Sequence, residues 1–343
     1  MLDNNKKEKE KEKEKRKEYK NIKGMNTGHI VNFIGHTPLV SLEKIGYPIW
    51  AKAEFLNPGG SIKDRIGIYM LTSALHRGEL LKGQTILEAT SGNTGIGLAL
   101  AGRYLEFEVI IVLPENMSIE RKKLIKALGA ILIEIPEKDG IKGCTDKVKE
   151  LSELYPGKFY CPSQFSNPDN WKCHYYETGS EIIRSVRNMN KKIRAFVSGI
   201  GSGGSLQGIG KRLKEEFPDI QIIALEPENA SILKKEPGLK VVTKENNIPC
   251  TKINHKIQGI GDMILPPLLE LDIIDQICIV TDEDAINMSR QLAQSFGLLV
   301  GVSSGANVYI AQQIASFLEL KENEIVITLL PDRVERYFST SLI

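Results

Sequence analysis

From Thr85 onward the chain repeats one pattern: a short run of Val, Ile, Leu and Ala, a turn rich in Gly, Ser, Thr or Asn, and then a helix-forming stretch. Thr85–Ala89, Val109–Leu113 and Ala130–Ile135 read as strands. Helices are expected over Asn93–Leu105, Arg121–Leu128 (capped by Ser118) and Thr145–Leu154. In a second series Ala195–Ser198, Gln221–Leu225, Ile273–Val280 and Ile325–Leu330 alternate with helices near 205–216, 282–296 and 304–318. Strands with no polar alternation are buried on both faces, and helices between them make neighbouring strands parallel. The fold class is therefore α/β, with two domains whose parallel sheets are covered by helices. A length of 343 residues agrees with two domains. Ligands of such sheets sit outside the carboxyl ends of the strands, so chemistry is sought in the turns that follow them.

Three of those turns have the composition of ligand loops. Thr90-Ser91-Gly92-Asn93-Thr94-Gly95 joins a strand to a helix, and its hydroxyls, flexible glycine and helix N-terminus suit an anion the size of a carboxylate. The same residues would also serve as an ordinary helix cap. Gly199-Ile200-Gly201-Ser202-Gly203-Gly204-Ser205 offers backbone N–H groups and two hydroxyls to a phosphate. That loop also fits G-x-G-x-x-G, with Glu226 about twenty residues on, so an NAD-dependent oxidoreductase is a competing reading. Gly301-Val302-Ser303-Ser304-Gly305-Ala306 opens a further helix, where a neutral hydroxyl could meet a ring nitrogen.

Lys63 stands apart from these loops. It follows Asn57-Pro58-Gly59-Gly60-Ser61-Ile62, a segment that Pro58 and two glycines keep out of regular structure. Ile66, Ile68, Met70, Leu71 and Leu75 then have the spacing of a buried helix, which places Lys63 in its first turn. The positive end of the helix dipole opposes a second positive charge there and favours the neutral amine that attacks carbonyls. A solvated lysine with no such role is the plain alternative.

Composition excludes several classes. Hydrophobic content of 41% and charged content of 26% are ordinary for a soluble enzyme. The net charge of +2 gives no case for nucleic acid, and no apolar run approaches the ~18–20 residues of a membrane span. Residues 1–24 are a Lys/Glu-rich tail without an apolar face or a signal-peptide core. Five cysteines without a C-x-x-C pair point to reduced thiols in the cytoplasm, and the scattered histidines offer no metal site.

Taken together, these motifs resemble the fold type II enzymes that use pyridoxal 5′-phosphate, like tryptophan synthase β chains. Cysteine synthases (O-acetylserine sulfhydrylases) are the nearest members, with cystathionine β-synthases beside them. The resemblance runs from Gly35-His36-Thr37-Pro38-Leu39-Val40 to Glu335-Arg336-Tyr337-Phe338-Ser339-Thr340. It takes in Gln164-Phe165-Ser166-Asn167-Pro168 and Ile257-Gln258-Gly259-Ile260-Gly261. It implies that Lys63 is both the cofactor's imine partner and the catalytic base. Asn93 would bond the ring 3-oxygen, and Ser303 would meet the ring nitrogen. Gly201, Ser202, Gly203, Gly204 and Ser205 would hold the phosphate, while Thr90, Ser91, Thr94 and Gln164 would grip the substrate carboxylate.

The implied reaction is β-replacement, L-cysteine from O-acetyl-L-serine and sulfide through an aminoacrylate, with homocysteine as the alternative nucleophile. Also implied are a homodimer and serine acetyltransferase as a partner. The expected organisation is a disordered tail over 1–24, a larger cofactor-binding domain over 25–56 and 168–343, and a smaller mobile substrate-binding domain over 57–167. Two places depart from the cysteine synthase pattern, Asp332-Arg333-Val334 and Asp262-Met263. No haem-binding extension or C-terminal regulatory domain of the cystathionine type is recognisable.

Overall fold

The computed structural model describes residues 28–233, 240–242, 255–261 and 265–343. The expectations for the charged tail, for Cys250 and for Asp262-Met263 lie outside the described residues. In chain order the elements are β1 (Leu39–Ser41), β2 (Ile49–Lys52), α1 (Lys63–Arg77), β3 (Thr85–Ala89), α2 (Asn93–Tyr104), β4 (Val109–Pro114) and α3 (Ile119–Ala127). There follow β5 (Ile131–Ile135), α4 (Gly140–Leu154), β6 (Phe159–Tyr160), α5 (Pro168–Cys173), α6 (Ser180–Asn188), β7 (Lys192–Gly199) and α7 (Gly204–Glu216). The last are β8 (Gln221–Pro227), β9 (Lys240–Val242), β10 (Gln276–Val280), α8 (Asp282–Phe296), α9 (Val302–Phe317) and β11 (Glu324–Leu329).

Two sheets form. One runs β5-β4-β3-β6 and is parallel throughout; the other runs β1-β2-β11-β7-β8-β10-β9. Within the larger sheet every pairing is parallel except β1 with β2, which is antiparallel. The expected parallel sheets covered by helices are therefore present, with this one antiparallel pair added at an edge. Both strands are short and joined by residues 42–48, which include a 3₁₀ turn over Glu43–Ile45, a link shorter than the crossover a parallel pair needs.

Neighbouring positions along β7 serve opposite cores. Ala195 and Val197 pack with Ala285, Leu292, Ala306 and Ile310 of α8 and α9. Phe196, between them, packs with Ile182, Val186, Leu206 and Ile209 of α6 and α7. The smaller sheet is covered likewise: Ile86 and Ile111 face Ile66, Met70 and Leu98 of α1 and α2, while Leu87 and Val112 face Cys144 of α4. Two buried faces explain why these strands carry no polar alternation.

A continuous helical run, Pro168–Asn188, was not expected. It contains a π turn over His174–Gly179, between α5 and α6. Asn167 caps its start, accepting a hydrogen bond from the Asp169 N–H at 2.9 Å, with Pro168 in the first turn. Smaller differences concern ends of elements. Leu271–Ile273 is a 3₁₀ turn rather than the start of β10, and the Ser118 hydroxyl makes no capping bond although Ser118 holds the N-cap position of α3.

The start of α1 is held from two sides. From below, Arg65 donates to Glu54 (Nε to Oε2, 2.6 Å) and to Glu181 (Nη2 to Oε2, 2.7 Å), and Lys52 donates to the same Glu181 oxygen at 2.7 Å. Burial works against all four charges, so the network survives only because each has an opposite partner. The carboxyl of Glu181 is held well below the usual range: burial would raise it, but Arg65 and Lys52 outweigh that. From above, the Ile62 N–H donates to the Pro331 carbonyl at 2.8 Å, tying the approach to Lys63 to the end of β11.

Candidate functional site

Two of the three ligand-type loops leave the carboxyl end of a strand, residues 90–92 after β3 and 200–203 after β7; the third, Gly301–Ala306, opens α9 after helix α8 rather than after a strand, and residues 330–333 after β11 join them. They meet in one open cleft, whose empty space counted out to its mouth is about 770 Å³. Lys63, Ser91, Asn93, Thr94, Gln164, Gly201, Ser202, Ser205 and Ser303 all line it. Residues far apart in the chain therefore share one space. Among the described residues its charged lining is Lys63 and Arg121, with no carboxylate.

The loop after β7 is braced. Asn170 of α5 donates from Nδ2 to the Ser202 hydroxyl at 2.9 Å and to the Gln164 carbonyl at 2.7 Å. A Cβ at Gly204 would fall 2.0 Å from Asn170 Oδ1, so only glycine fits there. The result is a row of small residues at the N-terminus of α7, facing the cleft with N–H groups and the Ser202 and Ser205 hydroxyls. That cradle, uncharged and electropositive, matches a phosphate.

The loop after β3 is held mainly from beneath. Glu88, buried in β3, accepts from the N–H groups of Ser163 (2.7 Å) and Gln164 (2.9 Å). Burial pushes its carboxyl up to about 7 although both bonds pull it down. The Thr94 hydroxyl donates to Gln164 Oε1 at 2.6 Å, and Gln164 Nε2 donates to the Ala89 carbonyl at 3.2 Å. Thr90 departs from expectation. It does not line the cleft, because its hydroxyl turns inward to accept the Gly92 N–H at 3.1 Å. It shapes the loop instead.

Asn93, first residue of α2, has its amide oriented from the far lobe. Nδ2 donates to Asp332 Oδ2 at 2.7 Å, and Oδ1 accepts from Arg336 Nε at 2.7 Å. Ser303 lies in the first turn of α9 and is buried. Glu226, the residue a dinucleotide site would need for ribose, is instead buried near the end of β8, bonded to the turn that follows it. It accepts from the Ser231 hydroxyl (2.7 Å) and from the N–H groups of Ile232 and Leu233 (3.2 and 3.1 Å).

Sequence reasoning missed three cleft-side residues: Asn170, Asn307 and Arg121. Asn307 accepts from the Gly199 N–H at 2.9 Å and donates to the Leu329 carbonyl at 2.9 Å, joining β7 to β11 at the cleft floor. The cap Asn167-Pro168 was the available signal for Asn170.

Residues 30–332 match the family model of pyridoxal-phosphate dependent enzymes. The chain belongs to that family. It is 41% identical to a cysteine synthase of Staphylococcus aureus (strain Mu50) over 319 residues, 92% of this chain and 96% of that protein. Its structure is similar to that of an O-acetylserine-dependent cystathionine β-synthase from Helicobacter pylori (TM-score 0.81, 38% identity, 92% of this chain and 99% of that one). It is also similar to a cysteine synthase from Entamoeba histolytica (TM-score 0.82, 34% identity, 92% of this chain and 90% of that one). Membership removes the oxidoreductase reading. The family's cofactor fits what is present: a lysine, a phosphate-sized cradle closed by Asn170, and a lining without acids. Among the described residues no helix is long and apolar enough to cross a membrane, and no cluster of side chains could hold a metal.

Proposed function

We propose that this protein is a cysteine synthase, making L-cysteine and acetate from O-acetyl-L-serine and sulfide with pyridoxal 5′-phosphate held at Lys63. One observation carries the reading: Lys63 and two loops suited to anions line a single cleft that, among the described residues, has no acidic side chain. The names of the relatives support the substrate pair.

Bound pyridoxal phosphate supplies the electron sink that acidifies the Cα–H of an amino acid and lets a β-substituent leave. Gly201, Ser202, Gly203, Gly204 and Ser205 hold the phosphate at the N-terminus of α7. Asn93 gives one Nδ2 hydrogen to Asp332 and has the second for the ring 3-oxygen. Ser303 meets the ring nitrogen with a neutral hydroxyl, which does not enforce its protonation as a carboxylate would. Ser91, Thr94 and Gln164 take the substrate carboxylate, and Thr90 keeps their loop in shape. Thr94 must turn from Gln164 to do so, which couples binding to movement of a smaller domain, residues 57–167, against 25–56 with 168–343.

Lys63 would anchor the cofactor and, freed by the incoming substrate amine, would take the proton from Cα. With the cofactor bound, acetate would leave with the Cβ–O electron pair, sulfide would bond to Cβ, and Lys63 would return a proton to Cα. Four free cysteines among the described residues support a reducing, cytoplasmic setting, and exposed Ile30 and Phe33 support a homodimer. A serine acetyltransferase, which would supply O-acetylserine, is the partner this chemistry implies.

The test gives the holoenzyme O-acetylserine with sulfide or with homocysteine and identifies the amino acid formed by mass spectrometry. Cysteine as the preferred product is expected. Cystathionine would replace sulfide by homocysteine as the nucleophile, and absence of any β-replacement would overturn the reading.

A further inference from the structure

Arg121 projects from α3, and its side chain is 1% exposed. Its Nε and Nη1 meet no protein acceptor among the described residues. The nearest carboxylate, Asp332, lies 3.7 Å from Nη2, beyond hydrogen-bond range. One oxygen of that carboxylate is engaged, since Asp332 Oδ2 accepts from Asn93 and from the Tyr337 hydroxyl at 2.7 Å each, while Oδ1 meets no donor among the described residues. The guanidinium carbon stacks 4.8 Å from the centre of the Tyr337 ring. A buried guanidinium left so incompletely paired is costly, so such groups persist where something else supplies the opposite charge.

Its position says what that is. Arg121 lines the cleft together with Ser91, Asn93 and Thr94. Its stem runs directly beneath the loop after β3, for a Cβ at Gly92 would stand 2.4 Å from Arg121 Cδ. The six residues of that loop, Thr90 to Gly95, carry no charge of their own. Hydroxyls and N–H groups at a helix N-terminus favour a carboxylate over a neutral amide through partial charges only. A guanidinium under Gly92 adds a full positive charge to that preference.

We propose that Arg121 is the buried countercharge for the substrate α-carboxylate and sets the preference of the site for free amino acids over their neutral derivatives. The proposal rests on the reading of Thr90–Gly95 as the carboxylate loop. Arg121 is a positioning residue that acts through this loop, and Tyr337 and Asp332 hold its plane without saturating its donors.

The experiment titrates holoenzyme by calorimetry with L-serine, whose β-hydroxyl is a poor leaving group, and with L-serinamide, which lacks the negative charge. Arg121→Met should weaken serine about ten- to a hundredfold, the worth of one charge-assisted contact. Serinamide affinity should stay within about twofold, and Arg121→Lys should recover part of the loss for serine alone. Equal weakening of both ligands would make Arg121 a merely structural residue and overturn the proposal, as would no weakening of either. Should Arg121→Met fail to fold, the serine-to-serinamide ratio of Arg121→Lys decides: a ratio equal to that of the parent protein overturns the proposal. Ser91→Ala separates the two levels. If it leaves serine affinity unchanged, the loop reading itself falls; if it weakens serine while Arg121→Met does not, only the role of Arg121 falls.

Discussion

The two loops that face each other across the cleft are built to different tolerances. The loop after β7 is fixed from the side, with Asn170 bonded to Ser202 and pressed so closely on Gly204 that no side chain fits. The loop after β3 is fixed by the inward hydroxyl of Thr90, and through Thr94 it leans on the Ser163-Gln164 segment that Glu88 holds from below. Its cleft-lining Thr94 bonds Gln164, which follows β6 and also lines the cleft, and that bond can be exchanged for another. A rigid cradle suits a group that stays for many turnovers. A loop with a replaceable internal bond suits a group that arrives and leaves in each one. The difference teaches that two sites both suited to anions can be told apart by what restrains them.

The sharpest way to break this comparison is to crowd the rigid side. Gly204→Ala sets a methyl 2.0 Å from Asn170 Oδ1, so either Asn170 or the loop must give way. Bound cofactor, followed by its visible absorbance after dialysis, should fall at least a hundredfold in affinity. Full retention would mean that the loop is not the phosphate cradle.

On the adaptable side, Thr94→Ala removes one charge-assisted hydrogen bond, worth about 1.5–3 kcal/mol. Titration with O-acetylserine should show affinity reduced about ten- to a hundredfold with the cofactor still in place. Shedding cofactor while keeping normal substrate affinity would exchange the roles of the two loops.

The smallest effect concerns the support beneath that loop. Glu88 has its carboxyl raised by burial from the ordinary 4.5 to about 7. The folded state then binds this proton more tightly than the unfolded one. Glu88 therefore stabilises the fold fully below about pH 4.5, and that contribution is lost as pH rises through about 7. Thermal unfolding of Glu88→Gln across this window should show a flatter pH dependence than the parent protein. An unchanged slope would mean that Glu88 is not the buried proton holder beneath the loop.

How much of this was legible in the chain follows from what made each residue detectable. Lys63, Asn93, Ser202 and Ser303 stand where an apolar segment ends and a helix begins, a junction that shows in the sequence. Asn307 and Arg121 reach the cleft, and Asn170 braces its Ser202, from the sides of helices, and only packing decides which side faces inward. Thr90 shows the converse: its residue type suits a ligand loop, but its rotamer serves the loop itself. The run from Pro168 to Asn188 was obscured because a π turn breaks the helical spacing in its middle. The antiparallel β1 was obscured because a three-residue strand has too few positions to show a period.

The account stands most directly on Lys63 as the residue that carries the cofactor. Borohydride reduction of the yellow holoenzyme, followed by peptide mass mapping, tests it. The account predicts one pyridoxyl addition, on the peptide that contains Lys63, and loss of the addition in Lys63→Ala. Addition at another lysine, or a protein that takes up no pyridoxyl group, would contradict it.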